Sequence, residues 1–202
     1  MTIVSIRGTH GSGKSTIVRK ILDKYPHGEI TEAAMTASGK PKTRTVGYVV
    51  QLTPEQQLLV VGPYHTACGG CDAVQPYSDI WEIVYTYGLS MNRHVLLEGA
   101  LVSSSYGTIG KNMSECSHDA VFAFLDTPLE RCLERIKQRR AAKGNYEPLN
   151  PHNTAVKFEN VVRTKGQMAK LGSNVRIVDI DHTKPVQQVL KLFGVRINKE
   201  PT

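Results

Sequence analysis

Gly8-Thr9-His10-Gly11-Ser12-Gly13-Lys14-Ser15 is a spacing that polyphosphate chemistry demands. Glycines let a backbone turn its N–H groups inward around a β-phosphate. The lysine ammonium reaches the β- and γ-phosphates, and the serine hydroxyl ligates Mg²⁺. Thr16 follows directly. A glycine-rich turn that merely joins two elements would leave the lysine and hydroxyl without a purpose. Gly8, His10, Gly11, Ser12, Gly13, Lys14, Ser15 and Thr16 are therefore the expected nucleotide-binding set, with ATP and Mg²⁺ as the implied ligands.

Two further stretches carry charge where a triphosphate would need it. Val95-Leu96-Leu97-Glu98-Gly99-Ala100 reads as a buried strand ending in a carboxylate, a position suited to holding Mg²⁺ with Ser15, usually through water. The plainer reading is an acidic strand end facing solvent. Arg135 and Arg139 lie four apart, on one face of a helix, with Arg140 beside them. Guanidiniums so placed can grip a triphosphate and offset charge on a transferring phosphoryl group. A solvated basic face with Glu130 and Glu134 as local partners is the alternative.

A phosphoryl acceptor with a hydroxyl needs a carboxylate to accept or orient its proton. Asp72, after Cys68-Gly69-Gly70-Cys71, is the first choice and Glu32 the second, although Asp72 also suits an N-cap or a turn. Tyr64 and His65 are candidates to stack on a base or are ordinary surface aromatics. Gly70, Tyr77 and Trp81 complete the expected acceptor side. The cysteine pair fits free thiols better than zinc, since a zinc site usually shows two such pairs; His65 and His118 are the remaining conceivable ligands.

The elements that must position these residues alternate. Apolar runs at Thr2–Ile6, Val95–Leu97, Ala120–Leu125 and Val175–Ile180 predict strands. Helical periodicity appears at Lys14–Lys24, Tyr77–Arg93, within 103–117, Pro128–Lys143, within 153–171 and Pro185–Phe193. In the first helix Ile17, Val18, Ile21 and Leu22 share a face. In the second, Ile80, Trp81, Val84 and Tyr85 are the expected core contacts. Residues 28–44 are polar and predict loop or weak strand. Gly47–Leu52 and Gln57–Val61 predict a β-hairpin about Thr53-Pro54-Glu55-Gln56. The sum is an α/β doubly wound fold, three layers α/β/α with a parallel core sheet, in one domain over 1–202. Within it, about 40–76 reads as an inserted hairpin and acceptor-side region, and about 128–165 as a helical lid.

The chain has 202 residues, 40% hydrophobic and 21% charged, ordinary values for a globular protein. No apolar run is long enough to cross a bilayer and no leader precedes the first strand, so a cytoplasmic protein without membrane contact is expected. Twenty-five Lys and Arg against 18 Asp and Glu give a net charge of +7. That excess suits a polyanionic partner such as nucleic acid, or is simply a basic surface.

Taken together, the glycine-rich loop, the strand ending in Glu98 and the strand-Pro-helix segment with Arg135 and Arg139 resemble the P-loop nucleoside and nucleotide kinases. The resemblance implies a lid over the triphosphate, with Arg135 near the base and Arg139 and Arg140 near phosphates. It also places Asp181-His182-Thr183-Lys184 beside adenine. No Asn-Lys-x-Asp guanine-reading motif is present. More narrowly, Gly62-x-Tyr64 followed by Gly69-Gly70-x-Asp72 ahead of Glu98-Gly99 is similar to bacteriophage kinases that phosphorylate 5-hydroxymethyluracil within DNA. That resemblance implies DNA containing a hydroxymethylated pyrimidine as partner, a step in base hypermodification, and the host cytoplasm as location. Such a base must be flipped or presented single-stranded. A free deoxynucleoside, deoxynucleotide or small metabolite is the alternative acceptor.

Overall fold

The computed structural model describes residues 1–35, 38–65, 69–104, 106–170 and 175–195. Seven strands form one sheet: β1 (Thr2–Arg7), β2 (His27–Met35), β3 (Pro41–Thr53), β4 (Gln56–Val61), β5 (His94–Glu98), β6 (Asp119–Leu125) and β7 (Val175–Ile180). Their order is β2-β3-β4-β5-β1-β6-β7. From β4 to β7 every pairing is parallel, whereas β3 runs antiparallel to both β2 and β4. The central strands read as continuous apolar runs because both their faces are covered.

One face carries α1 (Lys14–Lys24) and α7 (Pro185–Leu192), which bury Ile17, Ile21, Val189 and Leu190 against Val4, Ile6 and Leu96. The other carries α2 (Asp79–Ile83), α3 (Ala100–Ser104), α4 (Gly107–Glu115) and α6 (His152–Met168), packed on Ile3, Leu97, Phe122 and Phe124. The remaining helix, α5 (Leu129–Ala141), follows β6 and ends before a left-handed Gly144. This is the three-layer α/β/α arrangement expected. From β1 the chain passes through α1 to β2 at one edge of the sheet, whereas from β5 it passes through α3 and α4 to β6 beyond β1. The connections thus diverge between β1 and β5, and a crevice opens there at the carboxyl ends of the strands.

Three expectations bear comparison with the elements observed. Of the loop and weak-strand readings for 28–44, the strand holds over most of the described residues: β2 and the first part of β3 form a long antiparallel ribbon. Its polar composition reflects an edge strand, in which Ile30, Glu32 and Ala34 are half-buried and the alternate residues are exposed. The expected β3–β4 hairpin is present, and because β4 pairs parallel to β5 these strands continue the main sheet. The helix after Tyr77 starts at Asp79 and widens into a π turn over Val84–Gly88. Ile80, Ile83 and Val84 are buried, Trp81 is half-buried, and Tyr85 is 61% exposed, because the wider turn shifts the phase of the apolar face.

The ribbon is fastened to the segment before α2 by one arginine. Arg44 Nη2 donates to Glu32 Oε2 and to Asp79 Oδ2, each at 2.8 Å, and Arg44 Nη1 donates to the Gln75 carbonyl. Charge-assisted bonds to three partners on three segments fix the ribbon's angle. Arg44→Ala is expected to lower unfolding free energy by about 1–2 kcal/mol in urea titration, the partly exposed setting discounting the pairs. A variant as stable as the parent would show that the ribbon is held otherwise.

Candidate functional site

The glycine-rich loop leaves β1 and runs into α1 at the crevice, as its spacing requires. Gly11 has φ +77°, and a Cβ there would meet the Cys132 carbonyl oxygen at 2.3 Å, so only glycine lets the loop lie against α5. The loop is braced from three sides. Thr127 Oγ1 donates to the Ser12 carbonyl at 2.9 Å, and Arg135 Nη1 donates to the Ser12 and Gly11 carbonyls at 3.0 and 3.4 Å. Thr9 Oγ1 donates to the Thr154 carbonyl at 3.3 Å. Lys14 is buried and curls across the loop, its Nζ donating to the Gly8 and Thr9 carbonyls at 2.8 and 3.1 Å.

Parallel pairing of β1 with β5, Ile6 opposite Glu98, brings the strand-end carboxylate to this loop. Ser15 Oγ donates to Glu98 Oε1 at 2.8 Å, and Tyr64 OH donates to the same oxygen at 3.0 Å. Glu98 is thus buried in the crevice and not an acidic end facing solvent. Burial pushes its carboxyl above the usual carboxylate range, opposed by Lys14, Ser15 and Tyr64 and reinforced by Asp72. Burial likewise lowers Lys14, while Glu98 and Asp72 hold it up.

Asp72 occupies a 3₁₀ turn, Gly70–Ala73, laid over the end of β5. Gly70 has φ +72°, and a Cβ there would meet Glu98 Oε1 at 2.4 Å, so glycine is what allows this turn to close on the carboxylate. The Asp72 carboxylate accepts the Ala100 and Leu101 amides at 2.6 and 3.0 Å, capping α3. Capping and a place beside the loop therefore hold together for this residue, since a carboxylate has lone pairs left after two such bonds.

Not every candidate converges. Glu32 stands on β2, four places from β1 in the sheet, about 19 Å at ~4.8 Å per strand, and its carboxylate is engaged by Arg44. Tyr64 is only 7% exposed and spends its hydroxyl on Glu98, so it offers no ring face for stacking. His65 is exposed, with Nδ1 3.5 Å from Tyr48 OH. Trp81 and Tyr77 line a cavity between α2 and α4. Thr16 is exposed on the first turn of α1. Arg139 lies near enough to Lys14 and His10 to lower both. Arg135 braces the loop's carbonyls, and Arg140 Nη2 donates to Asn145 Oδ1 at 3.0 Å. The Asp181–Lys184 turn is tied to the end of β6, the His182 amide donating to Asp126 Oδ1 at 2.8 Å. Cys68 lies outside the described residues; Cys71 and Cys132 are buried free thiols.

Some site residues gave no sequence signal. Lys157 of α6 donates to His10 Nε2 at 2.7 Å, and burial together with Lys157 and Lys14 keeps His10 below the usual histidine range. Arg7, ending β1, is wholly buried over the Phe122 ring at 4.7 Å, its pKa pulled down to about 9 by burial.

The donor set fits a magnesium triphosphate. Ser12 Oγ is buried with no hydrogen-bond partner among the described residues, inside a loop that side chains would fill. Ser15 and Glu98 are hard oxygen donors side by side, and Lys14 and Arg139 supply positive charge. Among the described residues, no helix is long and apolar enough to cross a membrane.

Because the folded-state pKa of Glu98 lies above its unfolded value, ionisation opposes folding. The nucleotide-free fold is favoured below the unfolded pKa and loses that advantage as pH rises through the folded one. Glu98→Gln, measured with chelator present, is expected to melt above the parent at neutral pH, the gap closing as pH falls below the ordinary carboxylate range. Parallel melting curves at every pH would contradict this electrostatic reading.

A family model described as 5-hmdU DNA kinase matches residues 2–182. The 5-hmdU DNA kinase of Pseudomonas phage PaMx11 is 33% identical over 184 residues, 89% of this chain and 91% of that one. The 5-hmdU DNA kinase of Pseudomonas phage M6 is 27% identical over 201 residues, 96% of this chain and all of that one. A gluconokinase from Sinorhizobium meliloti 1021 superposes with a TM-score of 0.45 at 15% identity, over 95% of this chain and 88% of that one, too loose a likeness to build on.

Proposed function

The chain belongs to the 5-hmdU DNA kinase family, and we propose that it moves the γ-phosphoryl group of ATP to the 5-hydroxymethyl oxygen of 5-hydroxymethyluracil in DNA, a step in base hypermodification. In that transfer the hydroxymethyl oxygen bonds to the γ-phosphorus, the bridging bond to the β-phosphate breaks, ADP leaves and the hydroxyl proton is released. The observation that carries the reading is the convergence of Lys14, Ser15, Glu98 and Asp72 at one crevice. Its core is the 2.8 Å contact between Ser15 and Glu98, with Asp72 close enough to affect Glu98 and Lys14.

Roles follow from position. Loop amides from Gly8 to Ser15 and the Lys14 ammonium hold the polyphosphate, and Arg139 adds charge beside them. Ser15 and Glu98 would hold Mg²⁺, which when bound neutralises charge on the β- and γ-oxygens. Lys14 then exchanges its loop carbonyls for phosphate oxygens, and Tyr64 keeps Glu98 aimed at Ser15. Asp72 is held in place by two amides, which suits orienting the acceptor hydroxyl. Arg135 keeps the loop's shape, and the Asp181–Lys184 turn borders the nucleotide base. The whole chain acts as one kinase domain, with α5 and α6 as its lid. The net charge of +7 supports a DNA substrate.

The deciding assay follows ³²P from labelled ATP into DNA containing 5-hydroxymethyluracil, with free nucleoside and monophosphate alongside. Transfer into DNA that weakens steeply with added salt is expected. Label in the free compounds and none in DNA would end the proposal. Lys14→Ala is expected to reduce transfer by at least about 10³-fold while circular dichroism stays native. Asp72→Asn is expected to slow turnover by about 10²–10⁴-fold and, because a carboxamide can accept only one of the two amides, to lower stability by about 1 kcal/mol. Near-parental turnover in a folded Asp72→Asn protein would move the hydroxyl-orienting role elsewhere.

A further inference from the structure

A cavity of about 480 Å³ lies between α2 and α4, outside the phosphate site. Its size falls in the range of small-ligand sites and exceeds what a single pyrimidine ring needs. Resting on the DNA-base reading above, we infer that this cavity receives the flipped-out pyrimidine, with Tyr77 and Trp81 as stacking surfaces and Asn112 reading the base edge.

The lining has the chemistry of a base pocket. Tyr77 and Trp81 are one helical turn apart, since the Ile80 amide donates back to the Tyr77 carbonyl at 3.4 Å, so both rings serve the same side of the cavity. Both are half-buried, with ring surface still available. Opposite them, Thr108 and Asn112 share a face of α4, and buried Ile109 makes an apolar floor. An extrahelical uracil presents a carbonyl acceptor beside an N3–H donor, and one carboxamide can meet both at once. The exposed Glu82 carboxylate at the rim is a further acceptor.

Position ties the cavity to the transfer site. Tyr77 follows Asp72 by five residues, and its phenol, pushed up to about 12 chiefly by burial, is also within electrostatic reach of Cys71, Arg7 and Asp72. The cavity wall therefore continues directly from the turn that holds Asp72 over the end of β5. Exposed cations flank the cavity. Lys111 adjoins Asn112 and is exposed, with Glu115 Oε1 at 3.9 Å as a loose surface partner. Lys42 lies two residues along β3 from Arg44, hence on the same strand face, and is exposed too. Arg44 bonds Gln75 and Asp79, on either side of Tyr77, so the ribbon that carries Lys42 also fixes the cavity wall.

Trp81 is the single tryptophan of the chain, so its emission reports the cavity directly. Single-stranded oligonucleotides carrying one 5-hydroxymethyluracil, one thymine or one abasic site at the same position are titrated against the whole protein. Binding is read by anisotropy, and ³²P transfer is measured in parallel. Quenching by the two pyrimidine strands, absent with the abasic strand although it binds, is expected. Asn112→Ala should raise KM for the hydroxymethyluracil strand about tenfold, with KM for ATP and the melting temperature unchanged. Trp81→Phe, which keeps a ring face, should lose less than Trp81→Ala. Transfer into DNA with silent Trp81 emission and an unaffected Asn112→Ala overturns the pocket and leaves the kinase reading intact. Absence of transfer into DNA overturns the kinase reading, and the pocket with it.

Discussion

The structure turns on one buried contact, between the hydroxyl that follows the loop lysine and the carboxylate that ends β5. Ser15 and Glu98 are separated by 83 residues and held at 2.8 Å, with Glu98 almost wholly buried. A carboxylate there is tolerable only because Lys14, Ser15 and Tyr64 surround it, and even so burial keeps its pKa raised. The arrangement stores a need for positive charge in the crevice. A protein evolved only for stability would place an apolar residue at the end of a strand whose other side chains are Val95, Leu96 and Leu97.

The rest of the fold serves that contact. Parallel β1 and β5 set the register, Gly70 lets the Asp72 turn close over Glu98, and Tyr64 is pinned by Tyr48, whose hydroxyl accepts the Tyr64 amide at 3.3 Å. The antiparallel ribbon extends the same logic outward. Through Arg44 it is fastened to the segment carrying Tyr77, so that segment is tied to the same seven-stranded sheet that carries the glycine-rich loop. Helices α5 and α6 close the loop from the other side through Arg135, Thr154 and Lys157.

Local signals and long-range ones fared differently, residue by residue. Gly8 to Ser15 could be placed between a strand and a helix because a glycine-rich loop is contiguous, and the strand and helix around it show in hydrophobic period alone. The central strands were equally plain, since burial on both faces leaves no polar alternation. The ribbon of β2 and early β3 was only half legible, as loop or weak strand, because an edge strand with two partly wet faces lacks the pattern that identifies strands. Tyr85 was misplaced as core because a π turn changes the phase that a 3.6-residue period assumes.

By itself the sequence determined the glycine-rich loop, the alternation that makes an α/β sheet and the carboxylate at the end of β5, each encoded within a few neighbouring residues. Tertiary structure alone decided which distant groups meet there. It set Tyr64 on Glu98, Lys157 on His10, Arg135 under the loop and Glu32 on Arg44 at the sheet edge. Those outcomes depend on strand order and helix packing, which bring together groups up to 147 residues apart, and no local periodicity records a contact of that range.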